Sequence, residues 1–141
     1  MKKEPFVIEK TYQAPVERVW KAITDKNDMK QWYFNIAAFK PDVGFEFQFE
    51  GSNEGRTYLH LCKVTEVIVG KKLQYSWRYK GYEGNSFVTF ELFERDNKTL
   101  LRLIHTGLET FPKENPDFAK KNFEEGWNSI INTSLKNYLE S

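Results

Sequence analysis

The chain has 141 residues, 21 of them basic and 20 acidic, with 40% apolar and 29% charged side chains and a net charge of +1. That length fits one domain around one core, and the balanced charge leaves no footprint for nucleic acid or an anionic membrane. A single cysteine, Cys62, excludes an intrachain disulfide and points to a reducing, cytoplasmic setting. The opening Met-Lys-Lys-Glu-Pro-Phe lacks the apolar stretch of a signal peptide, and no run approaches the ~18 apolar residues of a membrane span. Aromatic content is the unusual quantity, since 12 Phe, 7 Tyr and 4 Trp make up 16% of the chain.

Residues 6–13 alternate, with Phe6, Ile8 and Tyr12 on one side, Val7, Glu9 and Thr11 on the other, and Lys10 as the exception on the apolar side. This is the pattern of a half-buried strand. Pro15 then opens a helix to about Thr24 in which Val16, Val19, Trp20 and Ile23 share a face. A second short helix is expected from Asn27, as cap, to Trp32, with Met29 and Trp32 inward.

From Val43 the period becomes two: Val43, Phe45, Phe47 and Phe49 alternate with Gly44, Glu46, Gln48 and Glu50. Residues 51–55 (Gly-Ser-Asn-Glu-Gly) read as a turn. The next strand runs from about Thr57 to Val69, with Leu59 and Leu61 opposed to Tyr58, His60, Cys62 and Val64; either face can be the inner one, and a bulge is expected near Thr65. After a turn at Gly70-Lys71, Leu73, Tyr75, Trp77 and Tyr79 share one strand face. A loop from Gly81 to Asn85 leads to Val88, Phe90 and Leu92, alternating with Thr89 and Glu91. A hairpin turn at Arg95–Lys98 leads to Leu101, Leu103 and His105 on one face, against Arg102 and Thr106. The loop from Gly107 to Asn115, carrying Phe111 and Pro112, is either a plain connector or a cover over a cavity mouth.

The chain closes with an expected helix from Phe118 to Ser141, preceded by Asn115 as N-cap, Pro116 as first helical residue and Asp117 at the positive end of the dipole. At 100° per residue, Ala119, Phe123, Trp127, Ile130, Ile131, Ser134 and Tyr138 form one stripe. The order β, α, α, five strands, α, with short turns between the later strands, predicts antiparallel neighbours covered on their apolar face by the helices.

Several segments resemble one family. Ala14-Pro15-Val16-Glu17-Arg18-Val19-Trp20-Lys21-Ala22-Ile23-Thr24-Asp25, followed by Trp32, is similar to the opening of the START-like (SRPBCC) superfamily, in the branch of activators of the heat-shock-protein-ninety ATPase. Leu73-Gln74-Tyr75-Ser76-Trp77 resembles the Leu-x-Tyr-Thr-Trp strand of that branch. Residues 99–108 resemble its last strand, which ends His-Ser/Thr-Gly, and Glu125-Gly126-Trp127 with Leu135–Glu140 resemble its final helix. Val69-Gly70-Lys71 departs from the two prolines often found after the third strand. The resemblance implies an α+β helix-grip fold over residues 1–141 as a single START-like domain. In that fold a curved antiparallel β-sheet wraps a long C-terminal α-helix, two short helices follow β1, and β1 pairs with the last strand. It also implies a cavity between helix and sheet. Members bind lipids, hormones or polyketides, a few are enzymes, and the namesakes are co-chaperones with a separate docking domain that is not expected here.

The residues expected to face such a cavity are Trp32, Phe45, Phe47, Trp77, Phe90, Leu103, His105, Phe123, Trp127 and Ile131. The alternative is that these rings only pack a core. His105, an inward imidazole, either binds a ligand carbonyl, or acts as general acid or base, or is a neutral core histidine hydrogen-bonded to a neighbour. His60, Cys62 and His105 contain metal-ligating types but no paired spacing, so an ordinary strand histidine beside a free thiol is preferred and no metal or other cofactor is expected. Glu46, Glu50, Glu91, Glu124 and Glu125 fall on outer faces and form no inward acid–base pair. No Gly-x-Ser-x-Gly, phosphate-cradling loop or dinucleotide fingerprint occurs. The expected function is therefore a small-molecule binding domain for an apolar or aromatic ligand, with no nucleic-acid or membrane partner. The alternatives are a cyclase- or hydrolase-type enzyme using His105, or a protein-interaction domain making a chaperone contact.

Overall fold

Period-two alternation becomes a six-stranded, curved antiparallel sheet in the computed structural model, which describes residues 5–34, 36–53 and 55–140. The strands are β1 (Phe6–Tyr12), β2 (Glu46–Asn53), β3 (Arg56–Ile68), β4 (Lys72–Tyr79), β5 (Ser86–Arg95) and β6 (Lys98–Thr106), in the order β1-β6-β5-β4-β3-β2. Pairing of β1 with β6 sets Phe6 opposite His105, so the first and last strands meet as the resemblance implied. The inward rows of the later strands are those the alternation assigned: Leu73, Tyr75, Trp77 and Tyr79 of β4; Val88, Phe90 and Leu92 of β5; Leu101, Leu103 and His105 of β6; in β3, whose faces the sequence left open, Tyr58, His60, Cys62 and Val64 turn inward. The register shifts between Val64 and Glu66, at the expected bulge, which bends and twists the long third strand.

The second strand corrects two expectations. It starts at Glu46 rather than Val43, because Gly44 adopts φ 95° and the Phe45 N–H turns back to the Asp42 carbonyl. Val43 is left 67% exposed. Gly51, Ser52 and Asn53 continue β2 opposite Tyr58, Thr57 and Arg56 instead of turning, and Glu54 lies outside the described residues. Gly51 serves packing here, since a Cβ on it would stand 2.8 Å from His60 Cε1.

Two helices follow β1. In α1 (Val16–Thr24), Val19, Ala22 and Ile23 are buried and Trp20 is half-buried. The next helix, α2 (Lys26–Trp32), is capped by Asp25 rather than Asn27: the Asp25 carboxylate accepts from the free N–H groups of Asn27 and Asp28.

The C-terminal helix differs most from its sequence reading. Asn115 does cap, accepting from the Asp117 N–H at 2.9 Å, but what it caps is a separate 3₁₀ turn, Pro116–Phe118. Ala119 is extended and exposed, so the long helix begins with α3 (Lys120–Ser129) rather than at Phe118. It continues through a π turn (Ile130–Ser134) into α4 (Leu135–Glu140), and Ser141 lies outside the described residues. The buried stripe is Phe123, Trp127, Ile131, Leu135 and Leu139, one residue in every four, with Ile130 and Tyr138 half-buried at its flanks. In an unbroken α-helix each four-residue step drifts by about 40°. The wider π turn takes up part of that drift and keeps the stripe on the sheet. Leu135 donates its N–H to Ile130 and thereby withdraws the usual donor from the Ile131 carbonyl. The buried Tyr12 hydroxyl of β1 donates to that carbonyl at 2.7 Å, pinning strand to helix at the irregularity.

Candidate functional site

At one end of the helix–sheet interface the interior is sealed. His105 lies fully buried on β6 between Ser86 at the start of β5 and Trp127 on α3. The indole Nε1 of Trp127 can only donate, and it donates to His105 Nδ1 at 3.0 Å, which fixes the proton of the neutral ring on Nε2. That proton goes to Ser86 Oγ at 2.8 Å, and Ser86 in turn donates to the Trp77 carbonyl at 2.8 Å. Burial lowers the His105 pKa to about 3, so the imidazole is neutral in neutral solution. A protonated Nε2 cannot take the Ser86 proton, so the order of donors is the reverse of nucleophile activation. Phe123 packs edge-on against His105, and Phe111 stacks on Phe123 at 5.9 Å. Phe111 comes from the loop between β6 and the helix, which is clamped where Thr110 Oγ1 donates to the Asn85 carbonyl and accepts from its N–H. Gly84 has φ 105°, and a Cβ there would lie 2.6 Å from the Thr110 carbonyl oxygen, so this close approach requires glycine. The loop is thus packed against the core and covers no opening among the described residues.

The other end is open. A cleft of about 400 Å³ runs between α3 and the inner face of β4, bordered by Phe34, Trp77, Tyr79, Phe123, Trp127 and Ile130, with Ser52, Asp117, Asn122, Glu125 and Gly126 at its edges. A smaller recess of about 130 Å³ adjoins it through Phe34, Ser52, Tyr79 and Asp117 and reaches His60. A helical glycine at 126 leaves free space, for a Cβ there would meet nothing within 4 Å. His60 stacks on Phe49 at 4.5 Å and donates from Nδ1 to the Tyr58 carbonyl, and burial lowers its pKa to about 4. At the rim the Asp117 carboxylate accepts from Arg56 Nε at 2.6 Å and Nη2 at 2.9 Å, and from the Tyr58 hydroxyl. Asp117 therefore closes a rim contact instead of serving the helix dipole. Two other depressions, of about 590 and 800 Å³, lie on the outside of the molecule. Apart from Phe47 and Cys62 in the first and Leu92 in the second, they draw on outer-face and turn residues such as Gln48, Lys63, Glu91 and Glu94.

Of the residues expected at a cavity, Trp77, Phe123 and Trp127 border this cleft. Trp32, Phe47, Phe90, Leu103, His105 and Ile131 are buried behind it in the core, and Phe45 is half-buried near Phe39. Phe34, Tyr79, Asp117, Gly126 and Ile130 escaped that set. Tyr79 was legible as the next step of the Leu73–Trp77 alternation, and Gly126 as a costly glycine inside a helix. Asp117 gave no signal. His60 and Cys62 both point inward, the Cys62 thiol is held protonated by burial, and among the described residues no group of three His, Cys, Asp or Glu is arranged for a metal ion. No helix among the described residues is long and apolar enough to cross a membrane.

A helix packed along a curved antiparallel sheet with two short helices after β1 defines a helix-grip domain of the START-like (SRPBCC) superfamily. Within it, residues 13–140 match the family model described as Activator of Hsp90 ATPase homolog 1-like protein, and the chain belongs to that family. Among solved structures, protein CV1439 of Chromobacterium violaceum is similar at 20% identity over 98% of both chains, with a TM-score of 0.82. MLL2253 of Mesorhizobium loti is 26% identical over 97% of both chains, with a TM-score of 0.78. DynU16, a protein of the dynemicin biosynthetic locus, is 21% identical over 99% of this chain and 48% of its own, with a TM-score of 0.79. No curated protein matches the chain in sequence.

Proposed function

We propose that the chain is a small-molecule binding domain whose apolar or aromatic ligand lies in the cleft between α3 and β4. The observation that carries this reading is a ring-lined cleft of about 400 Å³ that the missing side chain of Gly126 leaves open. That volume falls in the range of small-ligand sites, and an apolar wall with few polar groups is their usual composition. Trp77, Phe123 and Trp127 are the contact residues in this reading. Trp32, Phe45, Phe47, Phe90, Leu103, His105 and Ile131 support them from behind. The likeness to DynU16, from a biosynthetic locus, agrees with a small-molecule ligand. Catalysis by His105 is not part of the reading, because its ring is buried away from the cleft with both nitrogens engaged.

The test uses the neutral dye N-phenyl-1-naphthylamine. It should bind at micromolar concentration, quench tryptophan emission and raise the melting temperature, since a ligand of the folded state alone stabilises it. Gly126→Trp should fill the cleft and abolish binding while the far-ultraviolet spectrum stays unchanged. Undiminished binding by a folded Gly126→Trp variant would remove the cleft from consideration.

A protein contact, such as one with a chaperone, has one observation in its favour. The β3–β4 turn leaves Ile68 and Val69 48% and 77% exposed beside the outer depression that Val16 and Phe93 also border. A Val69→Lys variant that loses no partner in a pull-down with the purified chaperone would dismiss that reading.

A further inference from the structure

The far end of the sheet carries an apolar patch that the cleft does not explain. Among the described residues, Val7, Val43 and Tyr82 are exposed as single residues of their segments, whereas Ile68 and Val69 are exposed side by side at the β3–β4 turn. Isolated exposed apolar residues are ordinary, but adjacent ones beside a depression are not. The turn presents them on a fixed backbone. The Lys71 N–H donates to the Ile68 carbonyl at 2.8 Å, the Leu92 N–H donates to the Lys71 carbonyl at 2.8 Å, and Gly70 makes the left-handed step at φ 77°. Beside the turn lies the outer depression of about 800 Å³, where Val16 and Phe93 are half-buried and Leu92 is buried. Val69, 77% exposed, therefore projects next to a recess with apolar residues in its lining. One patch holds both a knob and a hole.

The charges around the patch restrict its occupant. Lys72 and Glu91 are engaged within the fold, the first with Glu66 at 3.2 Å and the second with Arg102 at 3.3 Å. Lys71, Glu94 and Arg95 line the same depression, are exposed, and form no ion pair among the described residues. A nucleic acid, an anionic membrane or an acidic peptide selects a single sign of charge, and this rim carries both. Both signs on one rim are what a two-fold interface requires, because the patch then faces itself and a cation of one copy meets the anion of the other. Knob and hole follow the same rule, since each copy gives one and receives one. A different protein would have to match the apolar knob, the recess and both signs of charge, all of which this chain already carries.

We infer that this end of the sheet is a self-association face, on which a second copy of the chain seats its Val69 against Leu92 and Phe93 and sets its Glu94 against Lys71, with the reciprocal contacts made across the two-fold axis. The patch spans one turn, the end of β5 and the start of α1, which is small beside the ~800 Å² per partner of a standard interface. The dimer is therefore weak and forms at micromolar concentration and above. Because β4 begins at this face and reaches the cleft only at Trp77 and Tyr79, association leaves the cleft open, and the inference does not depend on the ligand reading.

Sedimentation velocity at low salt, over a concentration series up to about 1 mM, tests the face. The wild type should show a reversible monomer–dimer equilibrium with a Kd of about 10–100 μM. Val69→Lys should weaken it more than about tenfold, since each dimer loses two buried valines, while the far-ultraviolet spectrum stays unchanged at so exposed a position. Lys71→Glu and Glu94→Lys each place like charges across the axis twice and should each weaken the dimer about five- to tenfold. Mixed together, the two reversed chains complement each other at both contacts and should associate with about wild-type affinity, a rescue that contact with an unrelated protein does not produce. A wild type that stays monomeric up to about 1 mM, a dimer that Val69→Lys leaves unweakened, or a mixture no tighter than its components would overturn the inference and leave the binding cleft standing. Capture of the purified chaperone by a chain that stays monomeric would overturn it in favour of the protein contact.

Discussion

Around His105 every donor meets an acceptor, and the residues that supply them are closed off by Phe123, Phe111 and the clamped loop. A few residues away, beside Trp77 and Tyr79, a helical glycine leaves space unfilled. Both regions lie under the same helix, and Trp77 belongs to both: its carbonyl closes the sealed network while its indole borders the cleft. The contrast separates polar groups locked into a closed network from a cleft that packing leaves unfilled. A satisfied buried network is inert because each change of protonation breaks a bond, whereas a cleft with apolar walls gains contacts from any ligand that fills it.

Trp127 joins the two regions, and its removal should have the largest effect. Trp127→Ala should cost about 3–5 kcal/mol in chemical denaturation, because a buried indole is lost and His105 Nδ1 is left without its donor. A loss below about 1 kcal/mol would mean that the helix does not hold the sheet where it is drawn.

Acid should act next. Both histidines titrate near 6.5 in the unfolded chain, but near 3 for His105 and near 4 for His60 in the folded one. Below pH 6.5 the unfolded chain therefore binds protons that the folded chain does not, and stability falls as pH falls. Each histidine contributes about 1.4 kcal/mol per pH unit, so stability should drop by about 2–3 kcal/mol between pH 6 and pH 5. Denaturation midpoints measured across that interval check the slope, and a His60→Gln variant should show about half of it. A flat profile would show that both rings are accessible to solvent protons.

Tyr12→Phe tests the strand–helix pin beyond both regions. It removes only the hydroxyl that serves the Ile131 carbonyl, and about 1–3 kcal/mol should be lost, with faster exchange of amides in the π turn. Unchanged exchange there would indicate that the carbonyl finds another donor.

The smallest effect concerns the open region and has the opposite sign. Gly126→Ala should stabilise the protein by about 0.5–1 kcal/mol, since the alanine Cβ meets no neighbour and helix propensity improves. If thermal denaturation shows a loss instead, the backbone at 126 needs a freedom that the helix does not reveal.

Local patterns determined much of the molecule. Strict alternation set the inward rows of β4 to β6, since a one-residue slip would expose a whole face, and the inward direction of His105 followed from Leu101 and Leu103, whereas β3, apolar on both sides, left its faces open. The family resemblance rested on contiguous motifs for the same reason. Expectations went astray wherever one residue altered the count. Gly44 delayed β2, Asp25 displaced Asn27 as cap, and the extended Ala119 split the 3₁₀ turn from the helix. The π turn moved Leu135 and Leu139 onto the buried face, where a uniform 100° step had put Ile130 and Tyr138.

Which aromatic residues fill the core and which border open space was decided by tertiary structure alone. Phe47, Phe90, Trp77 and Tyr79 are equally apolar and equally periodic in sequence. They differ because α3 carries Gly126 above β4, while the β6–helix loop drives Phe111 against Phe123. Hydrogen-bond satisfaction is decided in the same way: Ser86 lies 19 residues from His105, Trp127 lies 22, and Asp117 is 61 from Arg56. Periodicity is a property of neighbours along the chain and fixes which face a side chain takes. Voids and closed hydrogen-bond networks are properties of what lies across the interior, and they arise only when distant segments are brought together.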